Sequence, residues 1–332
     1  MGLPAHWPIF SEDHDFATVQ TALIEASLSD GLPLVAPTQI RLDAMLSKAV
    51  VHDQLLGLMP PLMGELTPRA IAYNCVLAGC QPDALPVVIT ATAACLDAQF
   101  NLLGLATTTG SPAVATIVHG PVSEELTINA GINCLGPGTQ ANATIGRAIS
   151  LVLRNIGGMR TGAGDMATLG QPGKYGICFA ESQASPYEQV HALRGIEAGN
   201  SAVTVLGVSG TIEVLPSQKD GNWDAPETIL EPVAQIMQAA WCAGGGSRRP
   251  DQGDQVLLLP PELSDLLAAR DWCLAKIQSY IFETATSISG TPIAASPKDI
   301  LIIVTGGPGT KMCVLPLWGG GTRAITRELV RY

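Results

Sequence analysis

The sequence predicts an α/β fold with mixed sheets and flanking helices. Segments with apolar residues at helical spacing alternate with short β-branched runs through most of the chain. Its 332 residues can form one large unit or two lobes. We expect an N-terminal arm or cap over residues 1–66, an α/β lobe over 67–210, and a second α/β lobe over 211–332 packed on the first.

Two helices are predicted in the arm. Residues 16–28 place Val19, Leu23 and Ile24 at helical spacing, and residues 42–49 form the second candidate. The Pro60-Pro61 pair excludes a helix between residues 55 and 64.

A helix pair opens the next segment. Thr67 and Pro68 provide an N-cap and a proline at the first helical position, and Gly79 can end that helix. Asp83 is the expected cap of the following helix, which extends to about residue 95.

The rest of the chain alternates in type. The strongest helical pattern carries Ile145, Ile149, Val152 and Ile156 on one stripe, and Gly157 is its expected end. No internal repeat is detectable. The other predicted helices cover residues 123–126, 228–243, 261–269 and 272–286, and the predicted strands cover residues 113–118, 202–208, 212–215, 255–259, 300–305 and 312–317.

Composition excludes several classes of function. Charged residues make up 14% of the chain and the net charge is −11, so binding of nucleic acid through a basic surface is not expected. No apolar run is long enough to cross a membrane. The sparse charge suggests that surface is buried in a homo-oligomer. Without a secretory signal segment, the eight cysteines are expected to be reduced thiols in the cytoplasm.

The segment 129–185 is rich in glycine, asparagine and cationic residues, and it predicts a pocket for a carboxylate or phosphate. Glycine allows a ligand to approach the backbone, and a helix that begins after residue 139 offers free N–H groups. The alternative is an ordinary loop capped by Asn or Thr. The expected anion ligands are Gly136, Gly138, Thr139, Asn142, Arg147 and Lys174.

Cys80 is the best candidate for a nucleophile, because it lies in a turn where a thiol can be exposed near a helix N-terminus. His119 ends a predicted buried strand, where α/β proteins present functional residues, although a structural histidine is the alternative. Glu181 and His191 can form an acid–base pair if the fold brings them together.

Common cofactor and nucleophile motifs are absent from the sequence. It has no Walker pattern, no dinucleotide fingerprint after a strand, no nucleophile elbow and no Cys pair at metal-binding spacing. We therefore predict neither a metal nor a cofactor.

Six distinctive segments are spread over the first two thirds of the chain: DGLPLVAP (30–37), GLMPPLMG (57–64), NCVLAGCQPDALP (74–86), FNLLGLATTT (100–109), INAGINCLGPGTQANATIG (128–146) and MATLGQPGKYGICFAE (166–181). They resemble segments of proteins associated with the UGSC-motif (seleno)protein family, whose members have about this size. The resemblance covers most of residues 30–210, while the final strand and its glycine-rich loop fit more loosely. The chain departs from the UGSC pattern because it has no Gly-Ser-Cys motif.

The residues predict a thiol-dependent enzyme that acts on a small anionic organic molecule by elimination, hydrolysis or reductive cleavage. Cys80, His119 and Glu181 are its predicted catalytic residues. The resemblance implies an alternative, in which the chain is the substrate-binding subunit of a two-component (seleno)cysteine reductase and needs a redox partner protein.

Overall fold

The computed structural model describes residues 3–217, 224–244 and 253–330. These residues form two four-stranded mixed sheets and one two-stranded hairpin, with helices around the sheets. The α/β class predicted from the sequence is therefore confirmed.

The central strands are buried along their whole length, which suits their Val, Ile, Leu and Ala residues. The strands are β1 (Gly57–Met59), β2 (Gly64–Leu66), β3 (Ala113–His119), β4 (Ile177–Ala180), β5 (Ala202–Val208), β6 (Ile212–Val214), β7 (Gln255–Leu259), β8 (Ile300–Val304), β9 (Met312–Leu315) and β10 (Ile325–Glu328).

The helices begin and end largely at the expected signals. Thr67 accepts a hydrogen bond from the Ala70 N–H at 3.2 Å, and Gly79 ends that helix with a φ of 83°. The helices are α1 (Phe16–Glu25), α2 (Gln39–Leu46), α3 (Pro68–Ala78), α4 (Leu85–Ala94), α5 (Leu102–Thr107), α6 (Val122–Glu125), α7 (Gln140–Asn155), α8 (Val190–Leu193), α9 (Pro226–Ala243), α10 (Pro261–Ala269) and α11 (Leu274–Ser289).

The first sheet has the strand order β10-β5-β3-β4. β3 and β4 are parallel, with Val118 opposite Ala180, whereas β5 is antiparallel to both β3 and β10. Since parallel strands point the same way, the carboxyl ends of β3 and β4 lie side by side.

The second sheet repeats this connectivity with the order β6-β9-β7-β8. Its parallel pair is β7 and β8, and β9 is antiparallel to both β7 and β6. The edge strands are exchanged between the two halves, because β6 follows β5 but joins the second sheet and β10 follows β9 but joins the first. The repeat is one of topology, and it was not detectable in the sequence.

The two sheets pack face to face. One apolar cluster contains Ile117, Phe179 and Leu206 from the first sheet together with Leu258 and Ile303 from the second. Strand residues alternate between faces, so Val118 and Cys178 belong to a different cluster that includes helices α3 and α7. We call the side of the first sheet that meets the second sheet its inner face.

Several element predictions need correction. Asp83 does not cap α4; it lies in a 3₁₀ turn and forms an ion pair with Lys48 at 2.7 Å. Helix α7 ends at Asn155, two residues before the glycine expected to end it. The strands β1, β2, β4 and β10 and the helices α5 and α8 were not predicted. Residues 325–328, assigned by sequence to the second lobe, pair with the first sheet.

None of the described helices is both long enough and apolar enough to cross a membrane.

Candidate active site

His119 and Glu181 come together at the carboxyl end of the parallel pair. His119 is the last residue of β3, and Glu181 is the first residue after β4, where its backbone N–H bonds to the Val118 carbonyl at 3.0 Å. By strand alternation, His119 lies on the same inner face as Ile117, and Thr204 of β5 lies there too. The fold thus places three polar side chains within an apolar layer.

A continuous chain of hydrogen bonds links these side chains. His119 Nδ1 is 2.6 Å from Glu181 Oε2, and His119 Nε2 is 2.7 Å from Thr204 Oγ1. Thr204 Oγ1 is in turn 2.8 Å from Thr326 Oγ1, which accepts a bond from Arg194 at 3.3 Å. Because a carboxylate accepts hydrogen bonds, Nδ1 carries the hydrogen it shares with Glu181. The chain runs from exposed Arg194 to a buried carboxylate.

Glu181 has one oxygen held and one oxygen available. Its Oε2 atom also accepts the Val190 N–H at 3.1 Å, whereas Oε1 makes no hydrogen bond with the described residues. His119 is fully buried and Glu181 is 2% exposed. The two donors to Oε2 fix the buried carboxylate in position. The remaining oxygen, Oε1, is therefore suited to accept a proton.

His191 stacks beside this pair. Its ring centroid is 5.4 Å from that of His119, with an interplanar angle of 28°. The Ala198 backbone lies near the buried ring, but neither ring nitrogen forms a hydrogen bond of ordinary geometry. Burial lowers the pKa of His191, the neighbouring His119 lowers it further, and Glu181 offsets part of this. A buried imidazole whose ring nitrogens have no firm hydrogen-bond partner is unusual.

The same three side chains form the one group in the described residues that can be considered for a metal ion. The potential ligand atoms of His119, Glu181 and His191 all lie within 4.8 Å of one another. Two imidazoles and a carboxylate are a suitable donor set for zinc or iron. However, Nδ1 and Oε2 share a hydrogen at 2.6 Å, closer than the roughly 3.3 Å between two ligands of a tetrahedral zinc ion. The observed arrangement is that of a proton-sharing pair.

A cavity of about 720 Å³ adjoins Glu181. Thr139, at the start of α7, lies on its wall together with Ser182 and Gln183. Glu124 is a second carboxylate on the wall. Of the buried pair, Glu181 is the residue that borders this cavity, which is large enough for a small organic molecule.

Cys80 lies away from this pair, on the other side of the first sheet. Its thiol donates to the Thr144 carbonyl at 3.3 Å, and it belongs to the cluster on the helix side. Burial raises the pKa of its neighbour Cys75 and that of Cys178, so these thiols resist ionisation. The structure brings together the predicted residues His119 and Glu181, but it does not bring Cys80 to them.

The predicted anion ligands are dispersed. Asn142 uses its side chain to hold the backbone of Asn129 and Cys134, Arg147 forms a two-pronged pair with Asp30, and Lys174 pairs with Asp165. Gly138 has open space around it, with a φ of 130°, and Gly136 lies against the Asn133 side chain. Of the six, Thr139 lies on the wall of the cavity beside Glu181.

Sequence reasoning did not identify Thr204 and Thr326 as partners of His119. The signal for Thr204 was present, since it is a polar residue within a strand of otherwise apolar residues. Its partner across the sheet is not readable from the sequence, because 85 residues separate it from His119.

Comparison with protein-family models gives no match, and comparison with curated proteins gives no significant match.

Proposed function

We propose that this protein is an enzyme that transfers protons to and from a small anionic organic molecule held in the cavity beside Glu181. The observation that carries the proposal is the buried His119–Glu181 pair, at 2.6 Å, next to a cavity of about 720 Å³. The start of α7 on the cavity wall favours a negatively charged group on the substrate, because free N–H groups lie there.

In this proposal Glu181 acts as the general base. Its Oε1 accepts a proton from the substrate or from an attacking water, while the His119 Nδ1–H and the Val190 N–H hold Oε2. The proton then leaves Oε1 for the product or for water in the cavity, while Thr204 and Thr326 hold the other ring nitrogen of His119 in place. The reaction class is elimination or hydrolysis, since both need a proton transfer and neither needs a thiol.

The test uses deuterium exchange, which does not require the natural substrate. The protein is incubated in D2O with a panel of small carboxylic and phosphorylated acids, and exchange or conversion is followed by proton NMR. We expect Glu181→Gln and His119→Gln to lower the rate by about 10²–10⁴-fold, the usual contribution of general acid–base catalysis. Cys80→Ser is expected to retain the rate.

Two results would contradict the proposal. One is a Cys80→Ser variant that loses the activity while Glu181→Gln keeps it. The other is a folded wild-type protein that neither exchanges nor converts any member of the panel. Thermal unfolding of each variant shows whether a loss comes from misfolding.

A second candidate function is that of a substrate-binding subunit in a two-component (seleno)cysteine reductase. The supporting observation is that Cys80 does not line the cavity and belongs to the cluster on the helix side of the first sheet, so the reacting thiol would come from another chain. Turnover by the purified chain alone would exclude this candidate, whereas activity only after addition of a thiol partner would support it.

We also propose a cytoplasmic location, which is supported by eight cysteines without a disulfide.

A further inference from the structure

A second cavity, of about 540 Å³, lies at the opposite end of β3 from His119. It is bordered by Ala113 and Val114 at the start of that strand, by Arg154 at the end of α7, and by residues of the loop that leads to β4. Since six residues of strand separate its edge from His119, the two sites are roughly 20 Å apart.

Two neighbouring arginines, one on the wall of this cavity and one beside the wall, have no hydrogen-bonded carboxylate partner among the described residues. Arg154 lies on the wall, whereas Arg160 lies in the chain between the wall residues Met159 and Thr161, and its charge acts on Arg154. The Nε atoms of both side chains are buried and form no hydrogen bond. A buried guanidinium nitrogen without an acceptor is costly, and here the cost occurs twice in neighbouring side chains.

The nearby carboxylates are already engaged. Asp30 is held by Arg147 at 2.8 and 2.9 Å, and Asp165 is held by Lys174 at 2.6 Å. Among the described residues on the cavity wall, Asp30 and Asp165 are each paired with a cation and Arg154 is unpaired, while Arg160 beside the wall is a second unpaired cation. The local excess of positive charge stands out in a chain whose net charge is −11.

Helix geometry explains only part of this arrangement. A cation in the last turn of α7 interacts favourably with the helix dipole, which accounts for Arg154. It does not account for Arg160 beside it. Burial lowers the pKa of Arg154 and the charge of Arg160 lowers it further, whereas Asp30, which is bonded to Arg147, offsets part of this effect.

The rest of the wall is partly apolar, and the loop that closes the cavity is held in place. Leu153, Met159 and Pro172 line the cavity. The loop that closes it is tied to the first sheet, where Gln171 donates to the Val208 carbonyl at 2.9 Å and the Gly170 N–H bonds to Ser111 at 3.1 Å. The cavity is thus a preformed space whose described wall carries an unpaired arginine and a set of apolar side chains.

From this arrangement we infer a binding site for a small organic dianion, in which Arg154 and Arg160 hold the charged group and the apolar walls hold the body of the molecule. Guanidinium groups match carboxylate and phosphate oxygens in geometry as well as in charge. Two unpaired cations match two negative charges, as carried by a phosphate monoester or a dicarboxylate. The site is separate from the proposed active site and does not depend on it.

Isothermal titration calorimetry of the full chain with phenyl phosphate and with phthalate tests the site. We expect at least one of the two to bind with an affinity that falls as salt rises, and the stronger binder identifies phosphate or carboxylate as the preferred group. Arg154→Gln and Arg160→Gln should each weaken binding at least tenfold. Arg41→Gln, on a surface arginine paired with Glu12, is the matched control and should bind as the wild type does.

The unfolding temperature of each arginine variant shows whether weaker binding comes from the lost contact or from misfolding. Because neither arginine has a partner to lose, the variants should unfold at the wild-type temperature or above it in the absence of ligand. The inference is overturned if neither dianion binds at millimolar concentration, if both arginine variants bind like the wild type, or if benzoate binds as tightly as the dianions. His119→Gln should bind normally, so this inference and the proposed function fail independently.

Discussion

Arg147 illustrates how a side chain predicted to bind a ligand becomes part of the scaffold. Its guanidinium donates two hydrogen bonds to Asp30, 117 residues away in the sequence, and so links the N-terminal arm to α7. Both side chains are largely buried, at 16% and 15% exposure. The sequence shows that Arg147 is a cation in a glycine-rich segment, but it does not show its distant partner Asp30. The prediction therefore left Arg147 free to bind a ligand, whereas the structure pairs it with Asp30.

We predict that Asp30→Asn lowers the free energy of unfolding by about 2 kcal/mol, because it leaves Arg147 without its charged partner. Burial raises the pKa of Asp30, but Arg147 outweighs that effect and the net pKa is lowered. The stability supplied by the pair is therefore present above the ordinary carboxyl range and is lost as the pH falls through the lowered pKa. Urea unfolding at neutral pH measures the effect, and Asp83→Asn, in an exposed pair, is the control.

His191 provides a second prediction for a single residue. Its pKa is lowered in the folded protein, so at mildly acidic pH the unfolded chain binds a proton at His191 more readily than the folded chain does. Stability should therefore decrease as the pH falls below about 6.5, by at most about 1.4 kcal/mol per pH unit from this group.

The variant His191→Gln should show a shallower decrease than the wild type in urea unfolding between neutral and mildly acidic pH. His6→Gln, at an exposed position, should follow the wild-type curve. An equally steep decrease in His191→Gln would mean that another group causes the acid sensitivity.

At the scale of elements, the contact between α7 and β4 depends on a glycine in the middle of the helix. A Cβ at Gly146 would lie 2.9 Å from the Ile177 nitrogen and 3.0 Å from the Gly176 carbonyl carbon. Both are backbone atoms, so neither can move aside without shifting β4. The position of β4, and with it that of Glu181, therefore depends on the absence of a side chain at residue 146.

Gly146→Ala tests this contact, because helix propensity and the close approach predict changes of opposite sign in the free energy of unfolding. Helix propensity alone predicts a gain of about 1 kcal/mol for alanine in a helix interior. The close approach predicts a net loss of about 1–3 kcal/mol instead, through overpacking. Gly199→Ala, where a Cβ meets nothing within 4 Å, should change the unfolding free energy by less than about 0.5 kcal/mol. A stabilised Gly146→Ala protein would disprove the close approach.

The elements found from sequence are those with a long periodic pattern or clear capping residues. α3 has Thr67, Pro68 and Gly79 at its ends, and β3 is a continuous apolar run. β10 was missed because the segment ITRE is short and half-charged, and it becomes a strand only through pairing with β5, more than 100 residues earlier. α5 contains Gly104, which weakens a helical pattern.

The site was predictable to the extent that strand ends are readable. His119 was found because it ends an apolar run and precedes Gly-Pro. That Glu181 lies beside it depends on β3 and β4 being parallel neighbours in register, which no local pattern encodes. The face on which Cys80 lies depends on the same long-range packing, and so the sequence placed the thiol in the site without evidence of contact.

At the scale of the whole molecule, exposed apolar side chains are concentrated in the N-terminal arm. Phe16 and Ile24 of α1 are 65% and 62% exposed, and Ile40 of α2 is 68% exposed. Monomeric proteins rarely leave large apolar patches open to water. The homo-oligomer stays a prediction, and the arm is its expected interface.

We predict that the purified protein is oligomeric and that Phe16→Glu combined with Ile24→Glu shifts it to monomers, because charge at a buried apolar contact is costly. Light scattering coupled to size-exclusion chromatography measures the mass. Leu169→Glu, at an exposed apolar position in the loop before β4, is the control and should leave the mass unchanged. A wild-type monomer would contradict the prediction.

The proton shared by His119 and Glu181 is the central feature of the proposed function, and NMR of the protein with ¹⁵N-labelled histidine observes it directly. We predict that His119 Nδ1 carries a hydrogen in a strong hydrogen bond, and that Glu181→Gln shifts the Nδ1 signal while Cys80→Ser leaves it in place. A His119 ring that has no hydrogen at Nδ1, or whose signals ignore the Glu181→Gln substitution, would contradict the account.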